Sequence, residues 1–183
     1  MISMINKLKW YYKKAPITVA TLSICVIVYI ISFFLFGEEM NVRDALMFGG
    51  YNPAYVLYSG EYYRLITANF IHFGLLHLVM NCYSMLGIGM FVEVSLGVKN
   101  YFILIVASAL STTGIPYILY LINGYGLNTI SGGVSGVIFG LIGALGALAL
   151  VHKDIFSDIF RQLAPNVIIM LFISVIVPSI SLS

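Results

Sequence analysis

Ser135 lies in the run Gly132-Gly133-Val134-Ser135-Gly136, and His77 and Asn81 stand four residues apart with His72 just ahead of them. A serine hydroxyl attacks a carbonyl carbon when a base takes its proton. The oxyanion that forms needs preorganised donors. An asparagine amide, an imidazole N–H and the backbone N–H groups at a helix start are such donors, the last helped by the helix dipole. Glycines beside the serine let a substrate backbone approach closely. Spacing of four places His77 and Asn81 on one face of a helix. Each residue also has a plainer use. Serine is a common N-cap. Glycines at spacing four, Gly136 and Gly140, suit close helix packing, and polar side chains inside a bundle bind helices together. No carboxylate or cysteine nearby completes a metal ligand set. Cys25 and Cys82 lie in apolar runs, as small buried hydrophobes do. Neither a metal nor any other cofactor is expected.

The elements that must position these residues follow from composition. The chain has 183 residues, 61% hydrophobic and 9% charged, with net charge +2 and mean hydropathy +1.02. An ordinary soluble domain is about 25% charged. The deficit excludes a soluble globular protein and a disordered chain, and the small net charge excludes a nucleic-acid partner. Five apolar segments are long enough to cross a bilayer, which takes about 20 helical residues: 17–36, 75–92, 101–122, 135–151 and 163–182. A closed barrel would need short alternating strands, and no such alternation is present. The expected fold is all-α: a polytopic transmembrane helical bundle over residues 17–183, preceded by a basic tail at 1–16. The first apolar run is too long for a signal-peptide core, so it should stay as an anchor.

Positive residues orient the bundle. Lys7, Lys9, Lys13, Lys14, Lys99, Lys153 and Arg161 fall on one side, and Arg43 and Arg64 on the other. That split of seven to two puts the N-terminus in the cytoplasm. The external connection 37–71 carries Phe48, Tyr51, Tyr55, Tyr58, Tyr62, Tyr63 and Phe70. Aromatics at this density suit the headgroup layer, so a compact, partly membrane-dipping element is expected. The connection 123–134, rich in Gly, Asn, Ser and Thr, is expected to be flexible. Short polar turns should join spans two to three and four to five. On this topology Ser135, His77 and Asn81 share one depth near the outer face.

With those residues assembled, the chain resembles the rhomboid intramembrane serine proteases, from about Met47 onward. Gly60-Glu61-Tyr62-Tyr63-Arg64-Leu65-Ile66-Thr67 is similar to the family's aromatic–arginine motif. Ile71 to Asn81 carries its His–x4–His–x3–Asn pattern, and Gly133 to Gly140 its Gly-x-Ser-Gly motif. The resemblance implies Ser135 as nucleophile, and His77, Asn81 and the Ser135 backbone N–H as an oxyanion hole. It implies structural support from Arg64, through backbone carbonyls, and from His72. Phe139 would be the aromatic near the catalytic base, and Glu93 falls where family members often carry an acidic residue. It further implies transmembrane protein substrates, cut near the outer face, in the plasma membrane of a bacterium.

The family core has six spans, with the base histidine on the sixth. Here His152 follows Ser135 by 17 residues, about 26 Å of helix. It should therefore lie across the membrane and is not the base. The stripe Gly136, Gly140, Gly143 and Gly146 should be a close-packing surface for a sixth helix. A C-terminal truncation or a degenerate homologue is expected, without useful turnover by itself. The competing function is a catalytically inactive, client-binding membrane protein on the same scaffold. A channel would want charged residues deep in several spans. Oligomeric state stays open.

Overall fold

The computed structural model of the chain describes residues 13–124 and 126–151, with Asp158 and Arg161. The fifth expected span, most of the basic tail, Lys153 and the expected position of His152 lie outside the described residues. Among the described residues the secondary structure is helical, apart from one isolated backbone bridge. The protein is an all-α, integral membrane helical bundle. Among the described residues three helices are long and apolar enough to cross a bilayer, Pro16–Phe36, Leu75–Leu96 and Val98–Asn123; a shorter apolar helix, Ser135–Val151, packs with them. These are spans one to four below.

Span one begins with a proline in its first turn, where no intrahelical N–H is needed. It ends at Gly37, whose φ of +93° suits glycine. Span two is not uniform: Leu75–Ser84 and Met90–Leu96 are α-helical, and Met85–Gly89 is a π-helical turn. It runs past the expected end at Val92, because Glu93 is not a loop residue. Glu93 is 1% exposed, and its carboxylate accepts from Ile17 N–H (2.9 Å) and Thr18 N–H (2.8 Å). These are two of the orphan donors of span one's first turn. Close by, Thr18 Oγ1 donates to the Tyr101 hydroxyl at 2.8 Å. Gly89 is small for a reason: a Cβ there would lie 2.7 Å from the Tyr101 oxygen. The polar turn expected between spans two and three reduces to Gly97, at φ +76°.

Span four lies against span three without side chains between them at two points. A Cβ on Gly136 would overlap Thr112, and one on Gly140 would overlap Ser108. This corrects the expectation for the glycine stripe. Its first two members already pack on span three, and a Cβ on Gly143 would meet nothing within 4 Å among the described residues. Val137, Ile138, Leu141 and Leu145 carry the buried side of span four into a core shared with Met85, Ile88, Val92 and Tyr101. The outward faces are apolar, as at Ile27, Phe34, Ile122 and Leu150, which suits lipid and not water.

The segment between spans one and two folds into short helices, Val42–Phe48, Pro53–Tyr58 and Arg64–Thr67. Asn41 and Asp44 form a capping box, and Asn52 caps the second helix. Thr113 Oγ1 of span three donates to Leu65 O at 2.8 Å, fastening the segment to the bundle. Met47, Tyr58, Tyr62 and Tyr63 point outward.

The connection ahead of span four differs from the flexible tether expected from its composition. Tyr51 and Ser131 exchange both backbone hydrogen bonds, at 2.9 and 3.0 Å. The Asn52 amide donates to Leu127 O and Thr129 O, and Gly133 N–H donates to Ala68 O at 2.9 Å. The loop is therefore stitched to the segment between spans one and two.

Candidate active site

Spans two and four both start at one end of the bundle, and the stitched loop brings their first turns together. Ser135 is the first residue of span four and is half-buried. Two residues ahead, Gly133 has φ +109°. A Cβ at Gly133 would lie 2.8 Å from His77 Nε2 and 3.5 Å from Asn81 Nδ2. Only glycine fits both that backbone conformation and that approach. The glycine-rich loop, His77 and Asn81 thus meet at one place, on the helix face that the four-residue spacing gives His77 and Asn81 in common.

The polar atoms here are under-used. Asn81 is 4% exposed, and among the described residues its Nδ2 has no hydrogen-bond partner; neither has His77 Nδ1 nor His72 Nε2, all three atoms being buried. Burying an unsatisfied donor costs about 1–3 kcal/mol. Such groups collect where a ligand is to be met. An unpaired amide donor against the glycine loop that leads into a helix start is an arrangement able to hold a developing oxyanion.

His72 is fully buried just before span two. Its Nδ1 lies 3.1 Å from Phe70 O. A carbonyl only accepts, so Nδ1 carries the proton and Nε2 a lone pair. Burial, and then the neighbouring His77, push its pKa down to about 3. His72 is neutral at physiological pH. Its ring meets His77 edge-on at 5.0 Å between centroids, while Phe73 stacks on His77 at 5.8 Å and 17°.

Arg64 lies at the centre of the segment between spans one and two, 3% exposed. One guanidinium nitrogen donates to Leu46 O and Gly50 O at 2.8 and 2.7 Å, and Nε donates to Glu61 at 2.7 Å. The Tyr55 ring covers the guanidinium at 4.7 Å. The Tyr63 hydroxyl, and then Arg64, hold the Glu61 carboxyl below the usual carboxylate range. Glu93 sits at the opposite end of span two from His77, on the start of span one. Phe139 is half-buried one turn into span four and packs on the core. Among the described residues no group of three His, Cys, Asp or Glu is placed to hold a metal ion. Sequence reasoning missed Phe73 as the neighbour of His77, although it lies inside the same His-rich motif. It also missed Tyr51 and Asn52 as loop pins; the Asn-Pro pair ahead of a helix was the readable signal for Asn52.

A helical membrane bundle with this serine loop set against a His–Asn helix face defines a class of protein, and the comparisons agree. Residues 59–183 match the Rhomboid domain, and the chain belongs to the rhomboid family. It is 28% identical over 148 residues to the rhomboid protease GluP of Bacillus subtilis, covering 79% of this chain and 27% of that protein. It is 27% identical over 136 residues to the rhomboid protease GlpG of Haemophilus influenzae, covering 72% of this chain and 62% of the relative. It is 32% identical over 119 residues to RHOMBOID-like protein 4 of Arabidopsis thaliana, covering 60% and 26% respectively. The chain thus spans from about a quarter to about three fifths of the length of these relatives.

Proposed function

We propose that the chain carries the nucleophile and oxyanion-binding residues of an intramembrane serine protease site. Ser135 attacks the substrate carbonyl. His77, the Asn81 amide and the Ser135 backbone N–H receive the oxyanion. The observation that carries this reading is the approach of Gly133 to His77 Nε2 and Asn81 Nδ2, with the amide donor buried and unpaired. The substrates are transmembrane proteins cut near the outer face, with the N-terminus of the chain cytoplasmic and the membrane a bacterial plasma membrane. The seven-to-two charge split supports that orientation. Arg64 and His72 support the segment that covers the site, and Glu93 secures span one.

One step has no group assigned to it. His77 is committed to the oxyanion, and one imidazole does not serve as both donor and base. General-base assistance is worth roughly 10²–10⁴-fold. The second reading, a client-binding protein without turnover, draws on the same point, since among the described residues His77 is the histidine beside the Ser135 loop. The test reconstitutes two proteins in liposomes with a transmembrane substrate: residues 1–183, and the same chain extended by a histidine-bearing helix. Turnover is expected from the extended protein and is lost in Ser135→Ala, with insertion and melting temperature unchanged. Turnover retained in Ser135→Ala overturns the nucleophile. Equal, Ser135-dependent turnover from both proteins makes His77 the base.

A further inference from the structure

Among the described residues His77 Nδ1 is buried without a hydrogen-bond partner. An imidazole is ordinarily fixed in rotation and tautomer by a bond at the nitrogen opposite the working one. Here something else must hold the ring. Two neighbours touch it. His72 meets it edge-on at 5.0 Å, and Phe73 lies flat against it at 5.8 Å and 17°. Both separations lie in the range of favourable ring pairs. Phe73 is itself held at three points. Its carbonyl accepts from Met40 N–H at 2.9 Å. Its ring tip abuts Gly132, where a Cβ would lie 3.2 Å from Cζ. Its other side is the His77 ring. One phenyl ring therefore touches both the glycine loop that leads into Ser135 and the imidazole that the loop approaches at Gly133.

We infer that Phe73 is a positioning residue: its ring, stacked on His77 and wedged against Gly132, sets the imidazole plane that aims Nε2 at the Ser135 loop. This rests on the protease reading for its kinetic consequence, but not for the contact itself. Leucine at 73 keeps an apolar side chain of similar bulk and loses the flat face. The imidazole then turns within its pocket, and the donor leaves the line of the developing oxyanion. Misplacing a catalytic group by about 1 Å costs up to 10²-fold. The oxyanion forms after binding, so the loss falls on kcat.

Two measurements test this. The first uses whichever reconstituted protein turns over a transmembrane substrate. Phe73→Leu is expected to lower kcat about 10- to 100-fold, with KM within about twofold. An unchanged kcat, or a loss confined to KM, overturns the inference. The second needs no activity. The sequence has three histidines, so a histidine-selective NMR spectrum of the 183-residue chain in detergent is assignable by single substitutions. In the native protein the His77 ring protons should show cross-relaxation with the Phe73 ring and an upfield ring-current shift, and Phe73→Leu should remove that shift. Absence of both signals in the native protein overturns the inference even if Phe73→Leu fails to insert. Native signals, with no turnover even from the protein extended by a histidine-bearing helix, would sink the protease reading and leave the stacking intact.

Discussion

The two ends of span two treat polar groups in opposite ways. At the Glu93 end, both carboxylate oxygens are taken by Ile17 and Thr18 N–H, and the Thr18 hydroxyl finds Tyr101. At the His77 end, Asn81 Nδ2, His77 Nδ1 and His72 Nε2 are buried without partners among the described residues. Both ends also need a glycine against a partner's polar atom: Gly89 against Tyr101, and Gly133 against His77. The same helix thus uses satisfied bonds where it fastens span one and withholds them where it meets the serine loop. The first arrangement yields stability. The second gives some of it up and keeps donor capacity in hand, as functional sites do.

The sharpest way to break this contrast is to fill both glycines. In Gly133→Ala the new Cβ meets His77 Nε2 at 2.8 Å from a backbone at φ +109°. The site itself must shift, and turnover of the protein extended by a histidine-bearing helix should fall on the order of 10²-fold, beyond any loss of folded protein. In Gly89→Ala the obstacle is the Tyr101 hydroxyl at 2.7 Å. Melting temperature should fall, while turnover per folded molecule stays near native. A kcat loss in Gly89→Ala as large as in Gly133→Ala would erase the distinction between the ends.

The next largest effect falls on Glu93. Removing the carboxylate in Glu93→Ala leaves two buried N–H groups without acceptors, at about 1–3 kcal/mol each. Glu93→Gln keeps one acceptor and turns an amide donor toward the other N–H, so it should lie between Ala and native. Chemical unfolding in detergent reads this order. If Glu93→Gln proved as stable as native, the two-oxygen contact would not be what fastens span one.

Arg64 tests whether the covering segment belongs with the satisfied end. Arg64→Ala takes the guanidinium donor from the Gly50 carbonyl and one of two donors from the Leu46 carbonyl, which keeps Gly49 N–H, again about 1–3 kcal/mol. Arg64→Lys should recover little, because a point charge does not reproduce the guanidinium fork. Melting temperature and turnover should drop together. Complete loss of turnover with no change in melting temperature would move Arg64 into the chemistry.

How much of this was legible in the sequence depends on how far the partner lies along the chain. Span four was readable to its described ends, since Gly133, Val134 and an uncharged run frame it. The His77–Asn81 pairing followed from helical spacing alone. Span two was read short because a glutamate looks like the end of an apolar run. Its partners, Ile17 and Thr18, are more than seventy residues away. The loop before span four looked flexible because its pins are backbone groups at Tyr51 and Ser131, and composition does not encode backbone pairing. The glycine stripe announced a contact without naming Thr112 and Ser108 as the other side. Phe73 was hidden by its neighbours: in a motif bounded by two histidines, an intervening phenylalanine looks like filler.

The smallest effect, and the finest test of the contrast, is the acid response of His72. Its pKa is about 3 in the folded protein against an ordinary 6.5. Below pH 6.5 the unfolded chain takes up a proton that the native state refuses. Stability must therefore fall with falling pH, from about 6.5 down toward 3, with a slope of up to about 1.4 kcal/mol per pH unit. Glu61, held below the usual carboxylate range by Tyr63 and Arg64, loses its contribution in the same direction. It does so only as pH falls through the carboxylate range, so the interval from pH 6.5 to 5 belongs to histidine. His72→Phe removes the titrating group and leaves His77 in place. At pH 7 it should be less stable than native, because Phe70 O loses its donor. The gap should narrow as pH falls to 5, since only the native protein pays for excluding a proton at position 72. Melting curves for both proteins across that interval read the difference. A gap that stays constant would mean that His72 is solvated in the folded protein, and the end of span two that carries His77 would then be as open to water as its loops.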